Sequence, residues 1–91
     1  MAFTVVFDAP GMVAAQYDEI IKGLEDAGEG KPDGRLYHVS APIESGWLVV
    51  DVWESQEQFA RFAETLVPII EQAGVEPPQP RIYPVHNILT P

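Results

Sequence analysis

Four strand-like runs and two segments of helical periodicity, in the order β-α-β-β-α-β, predict an α+β fold. This is the split-βαβ arrangement of a ferredoxin-like domain, a four-stranded antiparallel sheet with two helices on one face. A chain of 91 residues that is 46% hydrophobic has room for one such domain, residues 1–91, and is too apolar for a disordered tail. Five Lys and Arg against fourteen Asp and Glu give a net charge of -9, which leaves no cationic patch for nucleic acid or an anionic membrane. Without cysteine there is no disulfide framework and no thiolate metal site. The first apolar run stops at Phe7 with no basic region before it, so neither a signal peptide nor a membrane span is expected, and a soluble cytoplasmic protein is.

The first strand is Ala2 to Phe7, ended by the turn-forming Asp8-Ala9-Pro10-Gly11. From Met12 to Ala27 the apolar positions Val13, Tyr17, Ile20, Leu24 and Ala27 fall on one helical face, and Gly28 supplies a cap. Gly28 to Gly34 is an exposed loop without a phosphate-binding glycine pattern. Arg35 to Ala41 and Trp47 to Trp53 form a hairpin around Pro42 to Gly46. Ser55 and Gln58 make a capping box for the second helix, in which the Ser55 hydroxyl takes the backbone donor of Gln58 and the Gln58 amide reaches back to Ser55. Its buried stripe runs through Phe59, Phe62, Leu66, Ile69 or Ile70, and Ala73, and Pro68 should kink it or start a new helix. Arg81 to Leu89 is the last strand, placed at an edge or a bulge by Pro84.

Two helices cover one side of such a sheet. The third strand carries Trp47, Val49, Asp51 and Trp53 on one face and Leu48, Val50 and Val52 on the other, so the second face also needs cover. A symmetric homodimer supplies it by pairing that face with itself.

The same alternation locates a site. If Ile43 to Gly46 make the hairpin turn, Pro42 lies opposite Trp47 and His38 opposite Asp51, facing the helices. A carboxylate beside an imidazole holds one tautomer and strengthens the other nitrogen as a proton acceptor. Trp47, Trp53 and Val49 on that face, with Tyr17 from the first helix, would wall a pocket for a planar apolar ligand. Against this stands the plainer possibility of a satisfied cross-strand polar pair. His86 and Asn87 point to opposite faces, so only one of them, with His86 the candidate, can join the site. Two isolated histidines and one aspartate are not a metal signature, no serine or threonine sits in a nucleophile elbow, and no cofactor is expected.

The segment Val50-Asp51-Val52-Trp53-Glu54-Ser55-Gln56-Glu57-Gln58-Phe59 resembles the V-W-x-S-x-x-x-F junction of the dimeric α+β barrel superfamily, which includes antibiotic biosynthesis monooxygenase (ABM)-like domains. That resemblance implies a homodimer with a pocket between sheet and helices in each subunit, and it implies that Trp53 borders the ligand. Haem degradation is disfavoured, because the first strand lacks the asparagine and the second helix the histidine of that branch. Three roles stand open: a cofactor-independent monooxygenase acting on aromatic or polyketide-like substrates by proton abstraction, a polyketide cyclase or isomerase, and a non-catalytic dimer that binds a ligand or stabilises a partner. In the first two, His38 and Asp51 carry the proton transfer.

Overall fold

The computed structural model describes residues 1–91. Its elements are β1 (Phe3–Pro10), α1 (Ala14–Asp26), β2 (Arg35–Ile43), β3 (Gly46–Trp53), α2 (Gln56–Gln72) and β4 (Arg81–Pro84). The strands form one antiparallel sheet in the order β2-β3-β1-β4. Val5, Phe7 and Ala9 of β1 and Trp53 of β3 meet Ile20 and Leu24 of α1 and Phe59, Phe62, Leu66 and Ile70 of α2 in a single core. The helices therefore cover one sheet face, and no helix is long and apolar enough to cross a membrane.

Several element ends differ from expectation, each for a local reason. β1 continues past Phe7 because Ala9, small and buried, still pairs with Trp47, and Pro10 pairs with Gly46; the turn waits for Gly11 at φ 77°. The hairpin also pairs one step further, Ile43 with Gly46, so only Glu44 and Ser45 lie between the paired ends. This tightening leaves the predicted register intact. β4 stops at Pro84 instead of running to Leu89, and it is an edge strand with all four residues exposed.

In α1 the buried stripe shrinks to Ile20 and Leu24, while Val13 and Ala27 at its ends are exposed. α2 passes through Pro68 as one helix of 17 residues. Pro68 is on the exposed side, where water can serve the Glu64 carbonyl that it cannot. Ser55 caps α2 as expected, its hydroxyl accepting from the Gln58 backbone N–H at 3.2 Å while the Gln58 side chain reaches back to accept from the same hydroxyl at 3.0 Å.

Candidate active site

The β2–β3 register sets His38 opposite Asp51 on the helix-covered face. Asp51 is 2% exposed and accepts at both carboxylate oxygens, from His38 Nδ1 at 2.6 Å and from the Trp53 indole Nε1 at 3.3 Å. An ionised carboxylate only accepts, so the proton between these side chains is on His38 Nδ1. In the neutral ring Nε2 is then an acceptor, and it meets the Tyr17 hydroxyl at 2.6 Å. Tyr17 of α1 stacks against Trp47 of β3, ring centroids 5.4 Å apart, which fixes the angle from which its hydroxyl approaches His38. Trp53, Asp51, His38 and Tyr17 thus form one chain of hydrogen bonds from the core outward.

This chain meets an apolar cavity of about 60 Å³ between sheet and helices. Tyr17, His38, Val49 and Asp51 line it, together with Phe7, Ile20, Leu24, Phe62, Leu66 and Ile70 among its apolar residues. The two tryptophans do not line it. Trp53 is 0% exposed and packs on Phe59 and Phe62, so it acts beneath the cavity as the partner that orients Asp51. Trp47 stands behind Tyr17, and its buried indole N–H has no acceptor. His86 lies beyond the end of β4 and is exposed, as is Asn87, so neither joins the cavity; the strand expected to carry them ends at Pro84.

Arg35 was missing from the expected set. A β-bulge between Arg35 and Tyr37 leaves Leu36 unpaired, so Arg35 pairs with Trp53 and shares the inner face with His38 although the two are separated by an odd number of positions. In a regular strand they would face opposite ways. No group of three or more His, Asp or Glu residues is placed to hold a metal ion.

No protein-family model matches the chain, and no curated protein matches its sequence. Solved structures do match over nearly its whole length. A protein from Chloroflexus aurantiacus assigned as an antibiotic biosynthesis monooxygenase aligns with a TM-score of 0.65 at 16% identity, covering 97% of each chain. SnoaB, a cofactor-independent oxygenase from Streptomyces nogalater, gives 0.64 at 13% identity over 97% of this chain and 94% of its own. The ActVA-Orf6 monooxygenase of Streptomyces coelicolor, solved with nanaomycin D, gives 0.58 at 20% identity over 99% and 90%. At such identities the likeness speaks for architecture. The chain has the ferredoxin-like α+β fold of the antibiotic biosynthesis monooxygenase domain proteins.

Proposed function

We propose that this protein binds a small aromatic or polyketide-like molecule between sheet and helices and removes a proton from it with His38, in the manner of a cofactor-independent monooxygenase. The observation that carries this reading is the Tyr17–His38–Asp51 chain, which sets an oriented imidazole on the wall of a cavity that is apolar apart from these side chains and Arg35. A purely structural polar pair would not need its outer member to face a cavity. The Tyr17 hydroxyl occupies the His38 lone pair, so an acidic phenol or enol takes its place, and Tyr17 swings aside. That movement also makes room, since about 60 Å³ is less than the roughly 150 Å³ of an apolar cavity known to hold benzene.

Once the proton is on His38 Nε2, the ligand's electron pair at carbon forms a bond to dioxygen. The outer oxygen takes the proton back from His38, and the hydroperoxide loses water to leave a carbonyl, so a methylene is oxidised and dioxygen is reduced to water and the new carbonyl oxygen. The homodimer belongs to the same reading. Oxygen uptake with a panel of hydroxylated polycyclic aromatics tests it: His38→Ala lowers kcat by about 10²- to 10⁴-fold while ligand binding persists. Unchanged turnover in His38→Ala, with every active substrate, overturns His38 as the proton acceptor, and absence of oxygen uptake by wild type with ligands that bind leaves only the binding role.

A further inference from the structure

Arg35 is a cation without a carboxylate. Arg61, by contrast, pairs with Glu57 at 2.9 Å on the exposed face of α2, and the only other ion pair is that of His38 and Asp51. The Arg35 guanidinium donates to the Gly30 carbonyl at 3.3 Å and lies 5.8 Å from the centre of the Phe62 ring. These contacts hold it in place and leave most of its donors unused. It is also the only Lys or Arg among the cavity-lining residues of a chain that has five. On the outer side of the same strand end, Lys31, Pro32, Leu36 and Tyr37 border a surface groove of about 300 Å³, and Arg35 and His38 are the two residues that this groove shares with the cavity. The bulge at Leu36 therefore turns a second polar side chain inward where the interior meets the surface.

We infer that Arg35 and His38 form the mouth of the cavity and that Arg35 binds an anionic oxygen of the ligand, so that the molecule recognised is an aromatic acid, or a phenol or enol whose oxygen becomes anionic as His38 takes its proton. The inference rests on the cavity being the ligand site. The apolar ring lies against Phe62 and the aliphatic lining, and its oxygen meets the guanidinium, with Lys31 adding positive charge at the entrance. A charge-assisted hydrogen bond to a fixed guanidinium gives specificity that the apolar lining cannot. In a chain of net charge -9, an anion has few other places to be attracted.

Calorimetric titration of the whole protein with 2-naphthoate and with the neutral, similarly shaped 2-naphthamide tests this. Wild type prefers naphthoate by at least about tenfold, Arg35→Gln removes that preference while naphthamide affinity stays the same, and Arg35→Lys keeps part of it. In wild type alone, naphthoate but not naphthamide shifts the Arg35 side-chain N–H resonance, a readout that does not depend on the variants folding. Equal affinity for the two compounds in wild type, or a preference that survives Arg35→Gln, overturns the role of Arg35 while leaving the cavity as a binding site. If neither compound binds wild type, the cavity reading falls and takes this inference with it.

Discussion

Asp51 is the residue on which the candidate site turns, because its two oxygens are committed to different tasks. One takes the indole N–H of Trp53 and so locks the carboxylate to the core; the other takes His38 Nδ1 and so fixes which imidazole nitrogen is free. Asp51→Asn keeps the shape but presents an N–H₂ to one of two donors. If that group faces His38, the ring must carry its proton on Nε2 and loses the acceptor that faces Tyr17. The expected result is a fall in kcat of two or more orders of magnitude with the fold retained, by analogy with the tautomer fault that a triad aspartate-to-asparagine change produces at about 10⁴-fold. Nitrogen-15 shifts of the His38 ring report the tautomer directly, and an unchanged tautomer would show that Asp51 does not orient it. The pairing of His38 with Asp51 was legible in the sequence, since counting back from a hairpin turn fixes it. The inward role of Tyr17 was legible from helix periodicity, but its partner was not, because a helix-to-sheet contact depends on packing distances that no local pattern encodes. Trp53 was misplaced as a pocket wall for the same reason: alternation gives the face, and only packing decides whether a ring lines a cavity or lies beneath it.

At the scale of elements, the hairpin is what brings these residues into register, and Gly46 is where it is most constrained. A Cβ there would come within 2.2 Å of the Ala9 carbonyl oxygen and 2.6 Å of the Gly11 nitrogen, and both are backbone atoms that cannot rotate away. Gly46→Ala therefore pushes β3 off the end of β1, where Pro10 pairs with Gly46 and Gly11 N–H donates to the Ser45 carbonyl at 2.8 Å. The cost is about 1–3 kcal/mol, or a drop in melting temperature on the order of 4–8 °C per kcal/mol, measured by thermal unfolding. A variant as stable as wild type would mean that this corner yields easily. Gly46 was legible as a turn residue and its close approach to β1 was not, since that contact joins segments far apart in the chain. The bulge at Leu36 left no trace in sequence either: Arg35-Leu36-Tyr37 contains no glycine, and the alternation of an exposed edge strand is too weak to reveal one extra residue.

For the whole molecule, the helices cover only one of the sheet's two faces. On the other face, pairing aligns Val39, Val50 and Val6 in one row, ended by Arg81 at the β4 edge, and Tyr37, Val52, Thr4 and Tyr83 in the next, with Val39 62% exposed and Tyr83 51%. No element of the chain covers these rows. An apolar strip of this kind, self-complementary under a twofold axis, suits a second copy, and a stable pair would bury on the order of 1,600 Å² in total. Sedimentation at low micromolar concentration should therefore give a dimer, and its melting temperature should rise with protein concentration, because association favours the folded state by mass action. Val50 is in the middle of the valine row, its side chain directed away from the cavity, so Val50→Lys would set two like charges near the twofold axis and desolvate both. The expected outcome is a monomer of lower stability in which the Tyr17–His38–Asp51 hydrogen bonds persist, since all three residues belong to one subunit's opposite face. A wild-type monomer at that concentration would show instead that the outer face is tolerated in water. A dimer unaffected by Val50→Lys would place the interface elsewhere on the surface.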